Sequence, residues 1–346
     1  MYRSVTALYL LVWATTAARA EFLPNDPDFS LCWHAQKTAL PRAWDYSRGS
    51  TAVTIAIIDT GVMADTPDLA GRVLPPRGTP RLPPSDGSAN HHGTWVASVA
   101  AGGVNNRIGG VGVGNFSILP ITAVDADGFS SDDDVAAGIR LAASLGARVI
   151  SVSTGALSYG RLNAAAADAR AAGVLTFISA GNSNSRSTMT GYPNLIFVSG
   201  TDRNDQRWSQ GTYGSTWGPF VDLSAPADDI YVADPTVDGG YLVRDGTSFS
   251  SPLAAGAAAM AWSINPRLSA DQVQAILFNA AADLGDPGWD EVYGWGRIDV
   301  GAVAAAAAAT VPEPGVGVVA VAFAGAMLLR RRAAREQAEG LIQPGA

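Results

Sequence analysis

The sequence predicts an α/β fold: a doubly wound, mostly parallel sheet with helices on both faces. Several runs consist almost entirely of Val, Ile, Leu and Ala, and stretches with helical character separate them. Uninterrupted apolar runs are typical of strands that are covered on both faces. Alternation of such strands with helices is the pattern of a parallel sheet in one large domain.

Four runs have the length and composition of buried strands; they lie at residues 53–62, 146–155, 172–182 and 194–200. Four stretches have helical character; they lie at residues 131–145, 161–171, 268–281 and 302–309. Asp59, Ser153 and Asn182 lie where predicted strands end. Ligands of doubly wound sheets bind beyond the carboxyl ends of the strands, so these three residues are candidates for a functional site.

Composition excludes some classes of function. The net charge is −8, and Lys37 is the only lysine. This acidic balance argues against nucleic-acid binding, which needs a basic face. Cys32 is the only cysteine, so the chain forms no intramolecular disulfide. The ordinary interpretation of Cys32 is a small buried hydrophobic residue.

Residues 1–20 have the pattern of a secretory signal peptide. Arg3 precedes an apolar stretch at residues 5–13, and Ala18-Arg19-Ala20 offers small residues for cleavage. We therefore expect export and processing by signal peptidase. The alternative is a short buried helix.

The C-terminal residues have the pattern of a tail outside the fold. A Pro-containing linker at 310–315 precedes an apolar segment at 316–329 and a basic tail at 330–346. The apolar segment is short for a membrane span, which needs about 20 residues, but the arginines after it favour a stop-transfer segment. Pro312-Glu313-Pro314 resembles the start of the PEP-CTERM sorting signal of Gram-negative bacteria, which implies an exosortase-type processing enzyme at the cell envelope. A simple membrane anchor is the alternative.

Three short segments carry residues that suit nucleophilic catalysis. Asp59 lies in AIIDTGV, His92 in NHHGTWVASVAAG and Ser248 in GTSFSSPLAAG. Taken singly, each could be a turn, capping or core residue. Taken together, they offer a hydroxyl nucleophile, an imidazole base and a carboxylate that fixes the imidazole tautomer.

The order Asp, His, Ser and the flanking motifs resemble those of subtilisin-like serine proteases. The resemblance covers about residues 24–309. It implies one catalytic domain at 21–309, in which 21–50 forms an N-terminal arm. It also implies a triad of Asp59, His92 and Ser248.

The resemblance assigns further residues to the site. Asn182 in SAGN would be the side-chain donor of the oxyanion hole. Ser153, Thr154 and Gly155 would pair with the substrate backbone, and Gly191 would lie at the base of the first specificity pocket. His91, beside the candidate base, has no assigned role.

The chain departs from the family pattern at two positions. Trp95 stands where a second His is common, and Phe249 stands where Met is common. Because Phe249 has no oxidisable thioether, we expect activity that resists peroxide.

The resemblance also implies a structural Ca²⁺ site at Asp68 and Asn106. Carboxylate and amide oxygens suit this ion. The family also uses an N-terminal Gln, for which Gln36 is the candidate. The alternative is a capped helix beside a surface hairpin.

These observations predict an exported serine endopeptidase that acts on protein or peptide substrates and needs no cofactor for its chemistry. Two alternatives use the same fold. A peptide ligase or cyclase would pass the same acyl-enzyme to an amine. A catalytically silent binding protein is the other, although Asp59, His92, Ser248 and Asn182 are all present.

Overall fold

The computed structural model describes residues 21–155 and 159–311. The predicted signal peptide and C-terminal tail therefore lie outside the described residues. The eleven strands of the described part are β1 Thr54–Asp59, β2 Arg77–Gly78, β3 Ser117–Thr122, β4 Val149–Val152, β5 Leu175–Ser179, β6 Leu195–Thr201, β7 Ser209–Gln210, β8 Tyr213–Gly214, β9 Leu223–Pro226, β10 Ile230–Ala233 and β11 Tyr241–Arg244. Its eight α-helices are α1 Trp33–Lys37, α2 Leu40–Trp44, α3 His92–Ala101, α4 Asp132–Ser144, α5 Tyr159–Ala171, α6 Thr247–Ile264, α7 Ala270–Ala280 and α8 Val300–Ala309.

Seven strands form one parallel sheet in the order β2-β3-β1-β4-β5-β6-β9. Two apolar clusters cover its two faces. One includes residues of α3, α6 and α8, and the other includes residues of α4 and α5. The predicted doubly wound α/β fold is thereby confirmed.

Helix α6 lies against the middle of the sheet and is buried over most of its length. Its run of Ala and Gly permits this close packing. A Cβ atom on Gly256 would lie 2.6 Å from the Cβ atom of Val113, inside normal contact distance. The small residues after Ser248 therefore let the helix approach the core closely.

Local sequence signals set the boundaries of two predicted helices. Ser131 caps α4, since its hydroxyl accepts the backbone N–H of Asp134 at 3.1 Å. Ser269 and Gln272 form a reciprocal capping box at the start of α7. Such caps satisfy backbone donors that have no partner within the helix.

Among the described residues, no helix is long and apolar enough to cross a membrane. The apolar segment at 316–329 lies outside them.

Candidate active site

The site begins at the carboxyl end of a central strand. Asp59 is the last residue of β1, which lies between β3 and β4, and it is 1% exposed. Its carboxylate accepts the backbone N–H of Thr60 at 2.8 Å. The two carboxylate oxygens lie 2.8 and 3.0 Å from Nδ1 of His92.

His92 is the first residue of α3, and the two residues after it hold this helix start in place. The backbone N–H of Gly93 donates to the hydroxyl of Thr60 at 3.0 Å. The hydroxyl of Thr94 accepts the backbone N–H of Met63, also at 3.0 Å. These bonds join the start of α3 to the loop after β1, which fixes His92 relative to Asp59.

The electrostatics of this pair suit a general base. Burial lowers the pKa of His92, but the charge of Asp59 and its hydrogen bond outweigh burial and raise that pKa above its ordinary value. The His92 side chain is still 29% exposed. Because Nδ1 faces Asp59, Nε2 is the nitrogen available to exchange a proton with a substrate.

Ser248 is the second residue of α6. The residue before the helix, Gly246, has φ 140°, a value that L side chains rarely adopt, and this conformation sets the entry into the helix. Among the hydrogen bonds of the described residues, the Ser248 hydroxyl donates to the carbonyl of Ser153 at 3.3 Å, and none joins it to His92.

The Ser248 carbonyl also receives a hydrogen bond from Ser153. Pro252 lies four residues after Ser248 and has no N–H, so the usual helix donor for this carbonyl is missing. The Ser153 hydroxyl takes that place at 2.8 Å. Pro252 is therefore tolerated in the second turn because a side chain supplies the hydrogen bond that it lacks.

The side-chain oxygen of Asn182 accepts two hydrogen bonds that orient its amide group. Its Oδ1 accepts the backbone N–H of Thr247 at 3.0 Å and the Thr247 hydroxyl at 2.8 Å. The hydroxyl of Thr247 in turn accepts the backbone N–H of Gly181 at 3.1 Å. These bonds leave the Asn182 amide nitrogen, beside Gly246, without a hydrogen-bond partner among the described residues.

A cavity of about 320 Å³ contains Asp59 and His92, but Ser248 and Asn182 are not among the residues that line it. It is lined by Asp59, Thr60, Asn90, His92, Trp95, Val124, Gly128, Ser153, Thr154 and Gly155. The segment Ser153–Gly155 follows β4 directly, so its backbone continues from the sheet along the cavity wall. Phe249 is buried with its ring 6.4 Å from that of His92.

Gly191 lies away from this cavity. It lines a separate cavity of about 210 Å³ together with Tyr192, Phe197, Phe220 and Asp222. Ser248 and Asn182 line neither of these two cavities, so the place of Gly191 in the site stays a prediction.

Asp68 and Asn106 lie together outside the site. The buried Asp68 carboxylate accepts the Asn106 amide at 2.8 Å and the backbone N–H of Gly103 at 2.9 Å. Burial raises the pKa of Asp68 to about 6, so a bound cation would relieve the cost of ionising it. The Oδ1 atom of Asn106 accepts the backbone N–H of Ile108 at 2.9 Å. Carboxylate and amide oxygens are ligand types that suit Ca²⁺.

The third ligand that the sequence suggested is elsewhere. Gln36 is exposed and lines a different cavity, with Lys37 and Arg203. Asp26 contacts the loop instead, since its carboxylate accepts the backbone N–H groups of Asn105 and Asn106 at 2.7 and 3.0 Å.

One buried carboxylate beside the site was not foreseen. Asp234 accepts the indole N–H of Trp95 at 2.7 Å, and its Oδ2 lies 3.2 Å from Nδ1 of His91. Burial raises the pKa of Asp234, but hydrogen bonds from Thr236 and Trp95, with electrostatic attraction to His91, outweigh burial and hold that pKa below its ordinary value. The sequence signal for this contact is Trp95, which stands where the family commonly has a second His.

Comparisons with known proteins show which family this chain resembles. A family model described as the subtilase family matches residues 50–296. Thermitase of Thermoactinomyces vulgaris is 37% identical over 274 residues, which cover 77% of this chain and 94% of that protein. Subtilisin BL of Lederbergia lenta is 32% identical over 279 residues, which cover 79% of this chain and 98% of that protein.

A longer relative is the halolysin-like extracellular serine protease Nep of Natrialba magadii. It is 32% identical over 291 residues, which cover 80% of this chain. The chain spans only 52% of the length of that protein.

Proposed function

Because the chain belongs to the subtilase family of serine endopeptidases, we propose that it cleaves peptide bonds through a triad of Asp59, His92 and Ser248. The observation that carries this proposal is the buried Asp59 carboxylate on Nδ1 of the partly exposed His92, with Ser248 at the start of a nearby helix. This arrangement supplies a base, its orienting carboxylate and a hydroxyl nucleophile.

The reaction starts when the Ser248 hydroxyl leaves the Ser153 carbonyl and donates to Nε2 of His92. As Oγ attacks the substrate carbonyl, His92 takes the proton, and Asp59 stabilises the resulting imidazolium. His92 then gives this proton to the leaving amine, and the acyl group stays on Ser248. Water, activated by His92, releases the acyl group in the second half of the reaction.

We assign the oxyanion hole to the amide nitrogen of Asn182 and the backbone N–H of Ser248. Asn182 has its oxygen tied to Thr247, so its nitrogen is oriented before substrate arrives. The N-terminal end of α6 adds a favourable dipole for the developing negative charge. Preorganised donors of this kind lower the barrier because they need no rearrangement during the reaction.

The substrate backbone is proposed to add alongside Ser153, Thr154 and Gly155. This segment continues from a sheet strand and lines the cavity that contains His92. Pairing of an extended peptide with such a segment uses backbone hydrogen bonds and so accepts many sequences. Gly191 is proposed to lie at the base of the first specificity pocket, as the resemblance implies.

The test compares wild-type protein with Ser248→Ala on casein. We expect the variant to lose about 10⁴- to 10⁶-fold in turnover. Ser263→Ala, in the same helix and with its hydroxyl on the Ala259 carbonyl, is the matched control and should retain full activity. Casein cleavage by Ser248→Ala at the wild-type rate would contradict the proposal. Product masses in the presence of a peptide amine separate hydrolysis from acyl transfer.

Export is also proposed. It rests on the signal-like residues 1–20 and on the extracellular relative. Deletion of residues 1–20 should retain the protein in the cytoplasm, and unchanged export would contradict this. Sorting or anchoring at the cell envelope through residues 316–329 rests on the sequence pattern alone; the mass of the mature protein tests whether the tail is removed.

We further propose that Asp68 and Asn106 hold a structural Ca²⁺ ion. The measurement is the melting temperature in Ca²⁺ and in chelator. Wild type should melt at a higher temperature in Ca²⁺, and Asp68→Asn should lose most of that difference. Asp65→Asn changes a nearby exposed carboxylate and should keep it. Equal melting temperatures of wild type in both buffers would refute the site.

A further inference from the structure

A tryptophan and an arginine form a cationic platform beside His92. Trp95 lines the catalytic cavity, and its ring centroid lies 6.1 Å from that of His92. The guanidinium carbon of Arg244 lies 4.5 Å from the centroid of the Trp95 ring. Stacking of this kind holds a cation against an aromatic face. We call Trp95 and Arg244 the platform.

The platform rests on a buried anchor. The Trp95 indole N–H donates to Asp234 at 2.7 Å, and the Asp234 side chain is only 2% exposed. Asp234 also accepts the backbone N–H of Thr236 at 2.9 Å. The anchor therefore fixes the orientation of the Trp95 ring, which in turn orients the guanidinium stacked on it.

The charge of Arg244 is available to a ligand. Arg244 ends β11, four residues before Ser248, and it is exposed. In the part of the chain that the structure describes, its hydrogen bond goes to the Val243 carbonyl at 3.3 Å, and no ion pair includes it. An exposed guanidinium without a carboxylate partner is suited to bind one.

The direction of the reaction decides which part of a substrate meets the platform. His92 must deliver its proton to the leaving amine, so the residues after the scissile bond pass beside His92. The residues before that bond run along Ser153–Gly155. Trp95 packs against His92. Arg244, stacked on Trp95, does not line the cavity that contains Ser153–Gly155, so we place its guanidinium on the leaving-group side.

We propose that Arg244, held on Trp95, binds the side-chain carboxylate of an Asp or Glu in the first two positions after the scissile bond. The chain then prefers substrates that are acidic on the leaving-group side. This inference rests on the proposed protease function and adds a substrate preference to it.

The experiment uses the full-length protein and a set of peptides with amidated C-termini. The peptides differ only in the two positions after the scissile bond, which carry Glu, Gln or Lys. In wild type at low salt, we expect kcat/KM for the Glu peptide to exceed that for the Gln peptide about three- to fivefold, as for an exposed ion pair. The preference should shrink at high salt, because salt screens exposed charges.

Variants test the residue. Arg244→Gln should bring the Glu-to-Gln ratio close to 1, and Arg244→Glu should favour the Lys peptide. Arg77→Gln is the matched control, because Arg77 is exposed and donates to the preceding carbonyl at 3.3 Å, as Arg244 does. It should keep the wild-type ratio.

Two results would overturn the inference. One is equal cleavage of the Glu and Gln peptides by active wild type, and the other is a preference that Arg244→Gln leaves unchanged. If wild type cleaves none of the peptides and no casein, the proposed function fails first, and this inference fails with it.

Discussion

Thr247 is predicted to control turnover without touching the substrate. Its hydroxyl donates to Oδ1 of Asn182 at 2.8 Å and accepts the backbone N–H of Gly181 at 3.1 Å. Thr247→Val keeps the shape of the side chain and removes both bonds. The backbone N–H of residue 247 still donates to Asn182, so the amide loses one of two restraints on its orientation.

The size of the effect follows from the loss of one of the two hydrogen bonds that hold Oδ1 of Asn182. Loss of the whole oxyanion donor costs about 2.7–4 kcal/mol of transition-state stabilisation. One neutral hydrogen bond contributes about 0.5–1.5 kcal/mol. We therefore expect Thr247→Val to lower kcat about fivefold to tenfold, with little change in KM, because the oxyanion exists only in the transition state.

The assay is a double-mutant cycle on a peptide substrate. Asn182→Leu alone should lower kcat about 10²- to 10³-fold, and Thr247→Val added to it should lower kcat no further. Thr201→Val is the control, since the Thr201 hydroxyl is buried and has no hydrogen-bond partner among the described residues. A fivefold loss from Thr247→Val in both backgrounds would refute a role through Asn182.

Four further predictions concern other residues. Asp59→Asn should lower kcat/KM about 10⁴-fold. In wild type, kcat/KM should fall as pH drops through the raised pKa of His92, and a midpoint below 6.5 would contradict this, since activity needs the neutral imidazole. Phe249→Met should make activity sensitive to peroxide, whereas rapid inactivation of wild type would show that another oxidisable group matters. Burial raises the pKa of Asp222 from its ordinary value of 3.8 to about 7. The stability that the protonated Asp222 carboxyl contributes is therefore fully present below pH 3.8 and is lost as the pH rises through about 7. The melting temperature of Asp222→Asn should therefore rise relative to wild type between about pH 5 and about pH 8.5, and a constant difference would argue against a raised pKa of this partly buried carboxyl.

The strands that the sequence predicted are those with unbroken apolar runs. Strand β3 lacked a clear signal because it contains Pro120, and proline counts against a central strand. The structure tolerates it for a geometric reason. The N–H of Ile118 points away from β1 and donates to the Arg72 carbonyl. Backbone nitrogens two residues apart in a strand point the same way, so the nitrogen of Pro120 also points away from β1. On that side of β3, strand β2 pairs only with Ile121 and Thr122. No ladder donor is lost to β1.

The site was predictable to the extent that its residues lie in short motifs. Asp59, His92 and Ser248 each have flanking residues with a local task, such as Gly93 and Thr94 at the helix start. Asp234 has no such signal, because its partners Trp95 and His91 are about 140 positions away in the chain. Contacts between distant segments depend on the packing of the β10–β11 hairpin against α3, which no local pattern encodes.

The central claim is that Ser248 is the nucleophile, and covalent labelling tests it most directly. The protein is incubated with a fluorophosphonate probe, digested, and the modified residue is identified by mass spectrometry, with Ser248→Ala in parallel. The account predicts a single label on Ser248 and none on the variant. A label on another serine, or unlabelled wild type that still cleaves casein, would contradict it.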